Sequence, residues 1–348
     1  MGSSNYAVVI DIFCTLAAAM VLVPLLLYLY LPWATRRDKL LGYLDKESLI
    51  LYYQQFFPTK TPAPTAVLQE FRSDFARTYG RRHYGVPILL LALLTTASAF
   101  AAARTLQVWQ NVASSKYALP WIVLSALAGG FAWVISDLIS RLRRRDFTVS
   151  DIYNWVFRIL IAAPFGWAFA QLAKDTVGVP LAFLLGAFPT GTLFTIARRL
   201  AATRLGVSED PTTGALELEK LQSVTKTNAE RFYDEGISTI VQLAYADPVD
   251  LTIRTNFDFN YVIDCTSQAL LWIYFGEKTS ALQVYSLRGA QEVCYYLTLL
   301  RDATTQAQAS ATLMAVAASL NLPPDVMLTT LEQVGEDPYS KFIYSVWH

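Results

Sequence analysis

The sequence predicts an all-α fold class: a polytopic membrane protein with about five transmembrane helices and an all-helical soluble C-terminal domain. Of the 348 residues, 54% are hydrophobic and only 16% are charged, whereas soluble domains carry about 25% charged residues. The long apolar runs are confined to residues 1–204. The remainder, 205–348, shows helical apolar spacing interrupted by Gly and Pro. We therefore expect a membrane domain over 1–204 and a helical domain over 205–348.

The transmembrane helices are predicted from apolar runs close to the roughly 20 residues that cross a bilayer. The five predicted spans are 7–33, 86–103, 119–140, 152–173 and 179–200.

The loop between the first two spans, 34–85, contains two helix-like segments separated by Thr-Pro-Ala-Pro-Thr. Two interpretations remain open. The loop forms an amphipathic helix in the membrane interface, or it forms a helical hairpin packed on the C-terminal domain. Both interpretations place the loop in the cytoplasm.

The distribution of cations predicts the orientation, because positively charged loops stay in the cytoplasm. Basic residues are frequent in the first loop, in Arg-Leu-Arg-Arg-Arg-Asp after the third span, and after the fifth span. The loops that alternate with these contain few basic residues. Arg104 and Lys116 lie between the second and third spans, and Lys174 lies between the fourth and fifth. Five spans fit this alternation if the N-terminus lies outside and the C-terminal domain lies inside a plasma (inner) membrane.

Two charged residues lie inside predicted spans, where an ionisable group needs a partner or a function. Asp137 lies near the end of the third span, and Arg158 lies on the returning fourth span. A short connection between the two spans would bring these residues to similar depth. We expect an intramembrane ion pair, Asp137–Arg158, with a structural role.

Breaks within the spans predict kinks and close packing. Pro24, Pro164 and Pro189 each remove a backbone donor and bend a helix, and Gly129 and Gly130 allow another backbone to approach closely. Such breaks occur at substrate sites in transporters and also as ordinary packing features. They leave open an oligomeric channel or pore in which the kinked fourth and fifth spans line the path.

The C-terminal domain contains a turn predicted to join two short helices. Gly236 suits the left-handed position that ends a helix, Ile237 suits the apolar contact that accompanies such an ending, and Ser238 can cap the next helix. The stretch 228–251, Asn-Ala-Glu-Arg-Phe through Ala-Asp-Pro-Val-Asp-Leu, resembles a divergent helix-hairpin-helix module. A tandem unit could extend through Leu271, with Val262, Leu270 and Leu271 in its core.

The helix-hairpin-helix resemblance implies backbone amides that hold a phosphate of DNA, but the charges oppose this use. Residues 205–348 hold 8 Lys and Arg against 18 Asp and Glu, and residues 1–204 hold 20 against 10. Asp234 and Glu235 directly precede the turn. Because nucleic-acid binding depends on cations that neutralise phosphates, we expect no nucleic-acid partner.

The function predicted from these features is that of a membrane-anchored, homo-oligomeric interaction or effector component. Its acidic cytoplasmic domain would bind a protein partner or its own basic membrane domain; the alternative is a channel or pore gated by that domain. The sequence contains no recognisable catalytic pattern, and its three cysteines and two histidines have no metal-site spacing. We expect no enzyme activity, no cofactor and no metal.

Overall fold

Helices form the secondary structure of the described part of the chain, which contains no strand. The computed structural model describes residues 3–30, 33–60, 62–109, 118–144, 148–170, 175–188 and 217–347. These helices confirm the predicted all-α, membrane-type fold class. They belong to two compact units, Met1–Thr35 with Tyr79–Glu209, and Arg36–Thr78 with Asp210–His348.

The first eight helices are α1 (Ser3–Tyr30), α2 (Trp33–Tyr43), α3 (Lys46–Phe56), α4 (Val67–Thr78), α5 (Gly85–Trp109), α6 (Trp121–Arg144), α7 (Val149–Ala170) and α8 (Asp175–Ala187). A 3₁₀ turn, Arg81–Tyr84, precedes α5. The helices described after residue 216 are α9 (Lys226–Asp234), α10 (Ile240–Ala244), α11 (Pro248–Thr255), α12 (Phe259–Phe275), α13 (Thr279–Gln283), α14 (Ala290–Arg301), α15 (Gln306–Ser319), α16 (Pro324–Glu336) and α17 (Pro338–Trp347). A second 3₁₀ turn, Gly276–Lys278, follows α12.

Three stretches of the described residues are long and apolar enough to cross a membrane: Tyr6–Tyr28, Val67–Trp109 and Trp121–Arg143. They overlap the first three predicted spans, and the second stretch contains the predicted span 86–103 completely. The predicted fourth span corresponds to α7, whose apolar residues are interrupted by Asp151, Asn154 and Arg158. The predicted fifth span begins in α8, a helix of 13 residues, and continues outside the described residues. The described chain therefore supports fewer spans by length and composition than the predicted five.

Helices α15 and α16 are also apolar, and they would count as a further span only as a pair bent by 104°. Their buried residues, Leu313, Val316, Met327 and Leu331 among them, face the interior of their own unit. This is the arrangement of helices that pack into the core of a helical domain.

The first unit has its core where α1, α5, α6 and α7 meet. Leu25 of α1, Leu91 of α5, Val134 of α6 and Trp155 of α7 are fully buried there. Large apolar side chains on the outside of the same helices are exposed, as in a bundle that faces lipid. Examples are Phe13, Leu16, Leu93 and Trp167.

The second unit combines two separate parts of the chain, 36–78 and 217–347. Helix α3 packs on α17, and α17 packs on α14 and α12. Rings from both parts meet: Phe56 contacts Tyr339 with centroids 5.0 Å apart, and Tyr52 contacts Phe342 at 5.8 Å. Of the two interpretations of the first loop, these contacts have the geometry of the second, a helical hairpin packed on C-terminal helices.

Candidate functional site

The predicted ion pair between Asp137 and Arg158 is not present in the structure. Asp137 instead accepts from Arg141 Nε at 2.8 Å and from Trp155 Nε1 at 2.8 Å. Arg141 also pairs with Asp151, near the start of α7, at 2.7 Å. The prediction paired Asp137 with Arg158 and not with Arg141, which lies one turn after Asp137 on the same helix. Arg158 lies seven residues beyond Asp151, about 10 Å further along α7.

Arg158 is bound to the end of α8. Its Nη2 donates to the carbonyl of Leu185 at 2.9 Å and also to the carbonyls of Gly186 and Phe188. Its guanidinium lies 5.6 Å from the ring centroid of Trp133. The last carbonyls of a helix lack partners within the helix and carry partial negative charge. This arginine therefore binds a helix terminus inside the first unit instead of a carboxylate.

These contacts predict which pairs of substitutions are energetically coupled. Asp137→Asn and Arg158→Met are expected to be additive in the unfolding free energy of the detergent-solubilised protein, within about 0.5 kcal/mol. Asp137→Asn and Arg141→Met are expected to be non-additive by about 1 kcal/mol, because each substitution removes the other's partner. A double-mutant cycle for each pair measures both quantities. Coupling of the first pair above that of the second would contradict the observed contacts.

The predicted close approach at Gly129 and Gly130 lies where α6 crosses α8. A Cβ atom on Gly129 would collide with the carbonyl of Phe183 and would lie 2.9 Å from the amide nitrogen of Ala187. A Cβ atom on Gly130 would lie 3.3 Å from Cβ of Ala162 on α7. Both glycines therefore face neighbouring helices at short distance.

The predicted prolines differ in what the structure describes. Pro24 lies inside α1 and Pro164 inside α7, and both helices continue past the proline. Pro189 lies outside the described residues.

The predicted hairpin turn joins α9 to α10. Gly236 has φ of +86°. Its amide donates to Tyr233 at 2.9 Å, and the amide of Ile237 donates to Phe232 at 2.9 Å, the paired bonds of a Schellman helix ending. Ser238, the residue predicted to cap the next helix, is not its N-cap. Thr239 is the N-cap of α10 and forms a reciprocal capping box with Gln242, while Ser238 only donates to the Gln242 side chain.

Contrary to the expectation from the sequence, Glu235 does not contribute a free carboxylate to this turn. Its side chain is buried, 3.3 Å from Arg254 Nε and 3.6 Å from Arg231. Arg254 Nη2 also donates to the Glu235 carbonyl at 2.7 Å. Arg231 and Arg254 therefore neutralise the negative charge of Glu235, and this carboxylate would repel a phosphate less than the sequence predicts. The expectation that nucleic acid does not bind now depends on the net charge of residues 205–348, and it stays a prediction.

A second turn with the same pair of backbone hydrogen bonds connects α13 to α14. This turn was not predicted from the sequence. Ser286, 50 residues after Gly236, has φ of +63°. Its amide donates to Gln283 at 3.0 Å, and the amide of Leu287 donates to Leu282 at 3.2 Å. Gly289 is the N-cap of α14, and its amide donates to Glu292 at 2.9 Å. The sequence signal was a capping glutamate three residues after the cap.

The two turns predict substitution effects of opposite sign at their left-handed positions, 236 and 286. Gly236→Ser is expected to destabilise the protein by about 1 kcal/mol, and Ser286→Gly to stabilise it by up to about 1 kcal/mol, because only glycine adopts positive φ without a steric cost. A Cβ atom at 236 would meet no atom within 4 Å, so crowding does not contribute. Thermal unfolding of both variants measures the difference, and a shift of the same sign in both would contradict this explanation.

Polar contacts fix the first-loop hairpin to the C-terminal helices. Tyr52 Oη donates to Asp247 at 2.8 Å, Ser48 Oγ donates to the carbonyl of Ser345 at 3.1 Å, and Lys39 Nζ pairs with Asp258 at 2.8 Å. Asp247 also caps α11 by accepting from the amides of Val249 and Asp250. Desolvation raises the pKa of Asp247 to about 6, although these hydrogen bonds lower it.

The C-terminal aromatic residues divide into core and surface. Phe342 is fully buried among aromatic rings, whereas Trp347 is 47% exposed. Val262, Leu270 and Leu271, predicted as core residues of a tandem module, are buried in α12. The turn at Ser286 lies beyond 228–271, the range predicted for that module. The helix-hairpin-helix resemblance itself stays a prediction.

The cysteines of the second unit, Cys265 and Cys294, are free thiols buried in its interior. Burial raises the pKa of Cys265 to about 12 and that of Cys294 to about 11, so both are protonated at neutral pH. Over the described ranges no group of three His, Cys, Asp or Glu side chains is placed to hold a metal ion. The expectations of no enzyme activity and no cofactor are not tested by these facts.

Comparison with known proteins provides no family for this chain: no protein-family model, no curated protein and no solved structure matches it.

Proposed function

We propose that the protein is a membrane-anchored, homo-oligomeric interaction component whose second unit binds a cytosolic protein partner. The proposal rests on which segments of the chain form this unit. It contains the segment 36–78, which follows α1 and precedes α5 in the chain. A partner that binds the second unit thus contacts a body that is covalently continuous with two apolar helices.

Three exposed residues of the second unit, Val241, Tyr245 and Tyr274, support this role. Val241 lies on α10, and Tyr245, four residues later, is the C-cap of that helix; both side chains are more than half exposed. Desolvation by burial raises the pKa of Tyr274, and the charges of Asp337 and Tyr245 raise it further, so both groups act electrostatically on Tyr274. Exposed tyrosines with neighbouring polar groups are typical of protein interfaces.

The charge of the C-terminal region indicates the chemistry of the partner. Residues 205–348 hold 18 acidic and 8 basic residues, and one of the acidic residues, Asp337, acts electrostatically on Tyr274. Opposite charges increase association rates and make them sensitive to salt. The proposed partner is therefore a protein with an apolar anchor surrounded by Lys and Arg.

A photo-crosslinking amino acid placed at Tyr245 in the full-length protein tests the proposal in cells. We expect a discrete crosslinked product whose yield falls when membranes are washed in high salt before irradiation. The matched control is Tyr295, another half-exposed tyrosine in the same unit, which is expected to give no product. A product of twice the chain mass would identify another copy as the partner. Equal yields at both positions would contradict a specific interface.

A further inference from the structure

A small cavity lies between α6, α7 and α8 in the first unit and has room for about one water-sized species. Apolar side chains and glycines form most of its wall, and Arg158 is the one charged group among the described residues that line it. The lining residues are Ala126, Arg158, Ile161, Ala162, Phe165, Gly166, Ala182, Leu185 and Gly186.

Arg158 is 1% exposed and has donors to spare. Its Nη2 binds the three carbonyls at the end of α8, but Nε and Nη1 have no hydrogen-bond partner among the described residues. A buried guanidinium cannot lose its proton at physiological pH. Both nitrogen atoms with unused N–H groups therefore belong to a permanent positive charge.

The charge of Arg158 is only partly balanced within the described chain. The terminus of a helix such as α8 supplies the equivalent of about half a negative charge. Asp137 and Asp151, the acidic residues of the adjacent helix ends, are bound to Arg141. Buried charges in a low-dielectric interior are stabilised by a counter-charge. A residual positive charge thus borders a cavity whose described lining contains no acidic side chain.

We infer that this cavity binds a small monoatomic anion of the halide class, chloride above all, through the free donors of Arg158. Its size excludes carboxylate and phosphate ligands, which are several times larger than water. A water molecule would fit and accept one hydrogen bond, but it would leave the charge unbalanced. The site would supply the bundle of α6, α7 and α8 with a counter-ion.

Thermal unfolding of the full-length protein in detergent tests the inference, with chloride replaced by gluconate at constant ionic strength. Gluconate is too large for the cavity. We expect chloride to raise the unfolding temperature by about 4 °C at roughly ten times its dissociation constant, and bromide to substitute for it. Equal unfolding temperatures in chloride and gluconate would overturn the inference.

Three variants assign the effect to the cavity. Arg158→Met is expected to abolish the chloride response, whereas Arg104→Met, which removes an arginine from α5 in the same unit, is expected to retain it. Because Arg158→Met could fail to fold, Ala162→Val provides an independent test: it keeps the arginine and fills the cavity, and it is also expected to abolish the response. An undiminished response in Ala162→Val would overturn the inference.

Crystals of the wild-type protein grown in bromide would locate the ion directly. We expect an anomalous difference peak beside Nε or Nη1 of Arg158. Density at this position without anomalous signal would identify water and overturn the inference.

Discussion

Gly129→Ala is expected to lower the unfolding free energy of the membrane unit by about 3 kcal/mol or more. The added methyl group would collide with the backbone of α8 at Phe183, Gly186 and Ala187. Overpacking against flexible side chains costs about 1–3 kcal/mol, and backbone atoms can move less than side chains. Helices in membranes associate through such close contacts of small residues, because lipid provides no hydrophobic force between them.

The measurement is thermal unfolding of the full-length protein in detergent, with Gly85→Ala as the matched control. A Cβ atom on Gly85, at the start of α5, would meet no atom within 4 Å. The control is expected to be neutral or slightly stabilising, because alanine favours helix more than glycine does. Gly186→Ala, on the opposite side of the crossing, is expected to cost as much as Gly129→Ala. Wild-type stability in both variants would show that α6 and α8 do not cross here.

The second large effect concerns pH and Asp247. Desolvation raises the pKa of this carboxyl from 3.8 to about 6 in the folded state. The folded state therefore holds the proton more tightly than the unfolded state. This group contributes most to stability below pH 3.8, and the contribution is lost as the pH rises through 6. The change is up to about 3 kcal/mol, and about 2 kcal/mol when the partial solvent contact of the side chain is considered.

Asp247→Asn is expected to remove this pH dependence while keeping an oxygen that caps α11, since asparagine is a good N-cap. The unfolding free energy of the wild-type protein minus that of the variant should fall between pH 4 and pH 7. Asp302→Asn is the control: its own hydrogen bonds from Thr304 lower the pKa of the Asp302 carboxyl, so it titrates below this interval. Parallel profiles for wild type and Asp247→Asn would contradict the assignment.

Helix boundaries in the second unit could be predicted from local residues. Gly236, Asp247 and Gly276 act within one turn of the chain, and the structure places helix ends or caps at each of them. The same local reasoning did not predict the turn at Ser286, because serine rarely adopts positive φ. It also selected Ser238 as the cap, although Thr239 has the matching Gln242 three residues later.

Contacts between distant residues could not be predicted in the same way. The pair Asp137–Arg158 was expected from depth in the membrane, but Asp137 has a nearer partner in Arg141 and Arg158 has the end of α8. The approach of Gly129 to Gly186 was only half predicted, since the sequence shows two small residues but not which helix crosses them. The contact of Tyr52 with Asp247, 195 residues apart, has no local signal in either segment.

The most direct test of the proposed role is the arrangement of full-length protein in lipid nanodiscs, imaged by electron microscopy with two-dimensional averaging. An interaction component is expected to form a homo-oligomer whose central axis is filled with packed helices, with the second unit accessible to a partner. A closed ring around an open central axis would contradict this account and favour a channel.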